Sequence, residues 1–389
     1  MNDNQTTKVD LRHKKKKNGK NLRYKGHVHL PQNSRSFKED ATRIPLNGTR
    51  DYNLDLVKAL CIILVLFWHI QPIRIYTTSK SFISIFVQSI LNTFNSQITL
   101  IAVPLFYIVS IYLFYLNDKK GMNYFKYRLL RISSLYIFWT IIQYIIFFAT
   151  TKHFYGYIPD RNLVLSLFIG GPDLPNVGGS VFYFLSNMFM LTCFAFFYGW
   201  KGEVRVWLII SYIMIVFLII YFEIMNINGI SIPSRRIDNF IIYVPIGYLL
   251  FNKPNLIKYK YIFVILFIIS TVQDIFITKL YYVNFTYARI PIVFGAISIY
   301  SLIRENKFSK NKFVIFLSKY SLGIFATHKY WLLFISIILS GIFNINPFDL
   351  KNSGFVLSQF WLINGFVTII LTLISTYFLG MTPLRRFVL

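Results

Sequence analysis

Six histidines occur in 389 residues, and only His69 and His328 lie inside long apolar runs. An imidazole placed in a membrane-like environment suits general acid–base work, because its reference pKa of ~6.5 lies near neutrality. The bland alternative is a ring satisfied by a neighbouring helix. His69 closes a stretch that reads Leu54-Asp55-Leu56-Val57-Lys58 through Phe67-Trp68-His69. Asp55, Lys58, Ile62, Val65 and His69 recur at spacings of three and four, which puts them on one helical face. Lys58 and His69 are eleven residues apart, about three turns or ~16 Å along that face. Asp55 is too far from His69 to orient its ring and suits pairing with a basic group at its own end.

Tyr127-Arg128-Leu129-Leu130-Arg131 places two guanidinium groups at i and i+3 at the start of another apolar run. Arginine forks match phosphate oxygens. The motif is therefore either a clamp for a phosphorylated cytosolic donor or charge that sets membrane orientation. Tyr107, Ser110, Gln143, Asn187, Asp238, Asn239, Asp274 and Arg289 are further polar residues within or beside apolar runs. They suit hydrogen bonding between helices or the lining of a cavity.

These groups are carried by an unusual chain. It is 55% hydrophobic and only 14% charged, against roughly 25% charged in soluble domains. Mean hydropathy is +0.52. The net charge of +26 invites a nucleic-acid reading. The lysines and arginines, however, sit in short clusters between apolar runs, not on one solvated face, so nucleic acid is excluded as a partner. Cys61 and Cys193 both lie within apolar runs and imply no disulfide framework.

The expected fold is all-α: a polytopic bundle of about ten transmembrane helices, spanning roughly 54–73, 98–116, 131–150, 181–199, 206–222, 237–251, 260–277, 285–303, 321–342 and 355–380. Segment 82–94 is short and polar enough for an interfacial or re-entrant piece. With the N-terminus in the cytosol, basic residues favour the inner connections by about two to one, and both termini fall inside. Residues 1–50 read as a basic, disordered cytosolic tail with the run Lys14-Lys15-Lys16-Lys17, able to touch anionic lipid. The first apolar run begins behind this tail, so no cleavable signal peptide is expected. The longest later connection, roughly 151–180, lies outside and ends in Gly170-Gly171-Pro172 and Gly178-Gly179, which are turn signals. It either covers a site or is an ordinary surface loop.

Taken together in order, five blocks resemble acyltransferase family 3, the bacterial membrane O-acyltransferases. Leu54 to His69 is similar to the family's first helix, with its Asp, basic residue and His. Val103-Pro104-Leu105-Phe106-Tyr107-Ile108-Val109-Ser110 resembles its second. Phe125 to Trp139 carries its Arg-x-x-Arg pattern at Arg128 and Arg131. Phe182-Tyr183-Phe184-Leu185 and Tyr320 through Thr327-His328 resemble its fourth and late helices. Two positions depart from the pattern: Lys58 stands where the family usually has Arg, and Lys329 where it often has Pro.

The resemblance implies a transmembrane acyltransferase domain over 51–389 in the plasma (inner) membrane. It implies acetyl-CoA, or another acyl-CoA, as cytosolic donor, and no metal. The acceptor would be a hydroxyl of a cell-envelope glycan or a lipid-linked sugar. Lys58, Arg128 and Arg131 would hold the donor. His69, Asp55 and His328 would form the catalytic set, His69 as general base or brief acyl carrier, with His328 and Arg289 orienting the acceptor or stabilising developing oxyanion charge. A glycan exporter or flippase on the same scaffold is the competing reading.

Overall fold

The computed structural model describes residues 51–389 except 71–86, 88–89, 92, 118–120, 156–162, 169, 175–178, 200–202, 229, 231–234, 281–286 and 343–353. The expectations for the basic tail, and most of that for segment 82–94, fall outside the described residues. Every regular element described is helical. In chain order these are α1 (Tyr52–Ile70), α2 (Ala102–Asn117), α3 (Gly121–Tyr155), α4 (Leu163–Phe168), α5 (Tyr183–Phe197), α6 (Val204–Ile227), α7 (Asp238–Ile241) and α8 (Tyr243–Asn252). They continue as α9 (Lys260–Leu280), α10 (Ile290–Glu305), α11 (Lys312–Ile342), α12 (Gly354–Leu379) and α13 (Arg385–Val388). A π turn at Phe94–Ile98 and a 3₁₀ turn at Thr99–Ile101 lead directly into α2.

Among the described residues, six helical stretches are long and apolar enough to cross a membrane: Tyr52–Ile70, Phe94–Asn117, Gly121–Thr150, Val204–Met225, Pro254–Phe276 and Lys312–Leu339. The other expected spans also form helices; α12 has 26 residues, and three are shorter. Helix α5 has 15 residues, α8 has 10 and α10 has 16. At ~1.5 Å per residue these fall short of the ~30 Å hydrocarbon core. Helices α6 and α9 turn apolar side chains outward at helical spacing. Ile209, Ile213, Phe217 and Ile220 on α6, and Ile262, Ile265, Ile269 and Phe276 on α9, are all exposed. An apolar stripe facing away from the bundle is what a lipid environment selects.

Local chemistry sets the helix starts. Asp51 caps α1, its Oδ1 accepting from the backbone N–H groups of Asn53 at 3.1 Å and Leu54 at 3.3 Å. Asn311 caps α11 the same way, at 2.7 Å from the N–H of Phe313, and Pro291 opens α10, where a missing N–H costs nothing. Asp51 also pairs with Arg304 at the end of α10, and the N–H of Asn311 donates to Tyr52 Oη at 3.0 Å. The starts of α1 and α11 thus meet the end of α10. From there α1 and α11 run side by side as one of the most extensive helix pairs, and α12 packs on α11, α2 on α8, α3 on α5 and α10 on α9.

Gly170 and Gly171 take positive φ of 87° and 98°, which only glycine adopts without strain. A Cβ on Gly170 would come within 2.5 Å of the backbone carbon of Phe182. The turn folds the chain after α4 back against the start of α5, and Tyr136 Oη on α3 accepts from the Gly170 N–H at 3.1 Å.

A second polar clasp lies within the bundle. Arg289 Nη1 pairs with Asp274 Oδ2 at 2.5 Å, both almost fully buried. Gln97 donates to the same carboxylate oxygen, and Arg289 Nη2 donates to the Ser96 carbonyl at 2.7 Å. The clasp joins α9, the start of α10 and the turn before α2. Removing one partner would leave a charge stranded in a medium that cannot solvate it. Asp274→Ala is expected to destabilise the protein by about 3–5 kcal/mol, read as a lowered unfolding temperature in detergent. An Asp274→Leu/Arg289→Met double variant should recover much of that loss.

Candidate active site

Helix α1 points its polar stripe into the bundle. Ile62 and Val65 on that face are buried, Asp55 is 6% exposed, and Lys58 and His69 are half-buried. The expectation from spacing therefore holds: one face carries all five residues, and it is the inner face. Its partner is α11. Ser318 Oγ donates to Asp55 Oδ1 at 2.6 Å near one end. Further along both helices, the rings of His69 and His328 stand 5.0 Å apart, centroid to centroid, inclined at 39°. The two contacts advance together along α1 and α11, so the helices are parallel.

His328 is fully buried. Its Nδ1 faces the Phe325 carbonyl at 2.7 Å and the Ile324 carbonyl at 3.3 Å. A carbonyl can only accept, so Nδ1 carries the proton. In the neutral ring the lone pair then sits on Nε2. Nε2 is buried and has no hydrogen-bond partner among the described residues. The backbone of α11 thus presents an acceptor nitrogen of fixed tautomer beside a second imidazole from α1.

The next residue, Lys329, is also buried, and its ammonium donates to the Gly179 carbonyl. This brings the glycine-rich connection, expected either to cover a site or to be plain surface, into contact with the neighbour of His328. The connection is held in turn by Asp173. Its Oδ1 accepts from the Ser180 N–H at 2.9 Å and from Arg235 Nη1 at 3.0 Å. Asn187 on α5 donates to the Arg235 carbonyl at 2.9 Å. Arg235 and Asp173 lie within electrostatic reach of Lys329, which lies within reach of His69. Nearby, Tyr183 Oη donates to Tyr287 Oη at 3.0 Å and Tyr243 Oη donates to the Tyr287 carbonyl at 2.6 Å.

Arg128 and Arg131 lie elsewhere, near the start of α3. They share a face, as i and i+3 require, but their guanidinium groups part company. Arg128 turns inward: Nη2 donates to the Ser110 carbonyl at 2.9 Å and its Oγ at 2.6 Å, Nη1 to Tyr124 Oη at 3.3 Å, and the group lies 5.3 Å from the Phe114 ring centroid. Arg131 is exposed, and its Nη2 donates to the backbone oxygen of the last residue, Leu389, at 2.9 Å. The structure brings His69 to His328. Asp55 and Lys58 share the His69 face, nearer the start of α1. Arg289 is engaged in the clasp with Asp274.

Sequence reasoning missed Lys329, Asp173 and Arg235 as a connected set. Lys329 stood out only as a departure from a family pattern, and Arg235 and Asp173 fall on connections with no periodicity to read. Among the described residues, no group of three or more His, Cys, Asp or Glu side chains gathers as a metal site requires.

A family model described as an acyltransferase domain matches residues 51–381. The chain belongs to acyltransferase family 3. No curated protein and no solved structure shows a match to it. As a member of acyltransferase family 3 the chain is an acyltransferase, moving acyl groups other than aminoacyl groups. The family and the six apolar helices make it a multi-pass membrane protein.

The Asp55–Ser318 bond helps register α1 against α11 at the end away from the histidines, together with the bond from Asn311 to Tyr52. Ser318→Ala is expected to cost about 1.5–3 kcal/mol, the range for a hydrogen bond to a charged group, read by thermal unfolding in detergent. Ser318→Thr keeps the hydroxyl and should restore most of it.

Proposed function

We propose that the protein transfers an acyl group, acetyl in the simplest case, from cytosolic acyl-CoA to a hydroxyl of a cell-envelope glycan or lipid-linked sugar. The observation that carries the reading is the histidine pair, with the buried Nε2 of His328, unpartnered among the described residues, in a ring that stands against His69. A base is needed to take the proton of the acceptor hydroxyl as its oxygen attacks the thioester carbon. The new C–O bond forms, the C–S bond breaks, and the coenzyme A thiolate leaves and takes up a proton. His69 and His328 are the groups placed to take that first proton, one as base and the other oriented against it. The Lys329 ammonium, one residue away, supplies positive charge near the developing oxyanion.

The donor end of this reading rests on Lys58, Arg128 and Arg131. Arg131 is exposed and has N–H groups left for phosphate, and Arg128 fixes the helix beneath it through Ser110. Lys58 lies ~16 Å from His69 along α1, a span an extended pantetheine arm can cover. The reading places this end in the cytosol, with both termini, and counts the shorter helices α5, α8 and α10, together with α12, among ten crossings of the plasma membrane. The positive-inside bias supports that orientation. Asp55 serves as a positioning residue, holding the α1 face that bears His69.

His69→Ala and His328→Ala should each lower acyl transfer from acetyl-CoA by about 10²–10⁴-fold, the scale of lost general acid–base catalysis. The assay is label transfer from acetyl-CoA in membranes with matched protein levels. Retained transfer in either variant removes that ring from the mechanism. An Arg128→Ala/Arg131→Ala double variant should raise KM for acetyl-CoA about tenfold or more with a smaller change in kcat. A fall in kcat at unchanged KM would move these arginines out of donor binding.

A further inference from the structure

A groove of about 1030 Å³ opens on the side of the bundle between α3, α4, α5 and the turn at 235–237. That is the upper end of the volumes typical of small-molecule sites. Its walls are apolar: Ile137 from α3, Leu167 and Phe168 from α4, and Phe189 and Met190 from α5. All but Phe189 are strongly exposed, Phe168 at 73%. On a helix that crosses a bilayer, such a groove opens toward lipid. Yet the groove is not apolar throughout. Arg235 and Arg236 line it, beside Asn187, whose side chain holds the Arg235 backbone.

Among the described residues here, Lys329, Arg235 and Arg236 face Asp173 and Asp238, three cations against two carboxylates. Arg236 pairs with Asp238 at 2.8 Å, but its side chain is 63% exposed. Such a surface pair is worth little and is readily exchanged for a better acceptor. Arg235 spends Nη1 on Asp173 and packs its guanidinium over Gly179, the residue whose carbonyl takes the Lys329 ammonium. Arg235 therefore lines the groove, while its guanidinium meets the chain of contacts leading to His328.

We propose that this groove seats the hydrocarbon chain of a phosphate-bearing, lipid-linked acceptor. Its phosphate lies against Arg235 and Arg236, and the sugar beyond the phosphate reaches toward His69 and His328. A guanidinium fork suits a phosphate oxygen pair, and basic pockets between membrane helices are suited to lipid phosphate groups. The proposal rests on the acyltransferase reading and narrows its acceptor from any envelope glycan to one still attached to its lipid.

The test uses the purified full chain in detergent with farnesyl phosphate as probe, and farnesol, inorganic phosphate and dioleoylphosphatidylglycerol as comparisons. Farnesyl phosphate should bind about tenfold or more tightly than farnesol, the scale of one charge-assisted hydrogen bond, and inorganic phosphate more weakly still. Arg236→Gln, a change at an exposed side chain, should bring farnesyl phosphate down toward farnesol. Met190→Trp should fill the groove and weaken both. Unchanged farnesyl phosphate affinity in the two variants overturns the proposal. Equal affinity for dioleoylphosphatidylglycerol makes the groove a bulk-lipid site and also overturns it, as does a dimer that Met190→Trp converts to monomer. Acetyl-CoA binding by the unaltered chain is measured in parallel. If it is absent while farnesyl phosphate selectivity holds, the donor reading falls and the groove stands. If it is present without that selectivity, the groove assignment falls and the donor reading stands.

Discussion

The parallel seam between α1 and α11 governs the rest of the site. Each helix contributes one histidine, and neither ring can meet the other unless both helices hold one rotation and one height. Rotation is set by burial. Val57, Cys61 and Ile62 on α1 and Ile324 on α11 are fully enclosed. Turning α1 by one residue, about 100°, would carry Asp55 toward lipid, where an ionised carboxylate is costly. Height is set by the bond from Ser318 to Asp55 and by the shared anchorage of Tyr52, Asn311, Asp51 and Arg304. Packing alone leaves a helix pair free to slide by small steps; directional polar bonds in a low-dielectric interior do not.

The same logic explains the clasp of Arg289, Asp274 and Gln97. It does for α9, α10 and the turn before α2 what Asp55 does for α1 and α11. Helices α6 and α9 face outward with isoleucine and phenylalanine, so no hydrophobic drive holds them to the bundle once they are surrounded by lipid. A satisfied ion pair supplies the missing specificity, since any departure strands a charge. Membrane-embedded charges are functional suspects by default. Here Asp274 and Arg289 satisfy one another within the scaffold, and His328 is among the buried groups left with an open acceptor.

The face of α1 was legible in the sequence because helical periodicity is local: five residues within fifteen positions specify it. The Gly170-Gly171 turn was legible for the same reason, since left-handed backbone selects glycine. His328 was a lone histidine in a 31-residue helix, and its pairing with His69 links residues 259 positions apart, which no window of periodicity can report. Lys329, Gly179, Asp173 and Arg235 lie on three separate connections and helices and were invisible as a set. The arginines of α3 show the opposite limit. Spacing put them on one face correctly, but a long side chain can turn either way, and only the neighbours Ser110 and Leu389 decided which. The expected count of crossings drew on apolar runs and alternating charge, and neither distinguishes a full-length helix from one of 15 residues such as α5.

An acyl-CoA is too polar to cross a bilayer, whereas the acyl group is small and apolar. On the proposed function, the protein has to keep the phosphates of the donor at one end of α1 and bring only its thioester to the other. A single rigid helix with Lys58 near its start and His69 at its end meets that requirement without moving parts, since ~1.5 Å per residue fixes the separation. The acceptor then has to arrive at the His69 end. If it arrives still tied to a lipid, it is confined to the plane of the bilayer, and a lateral opening beside Arg235 lets it approach the histidines without detaching. Donor and acceptor would then meet from perpendicular directions, one along α1 and one through the gap between α3 and α5.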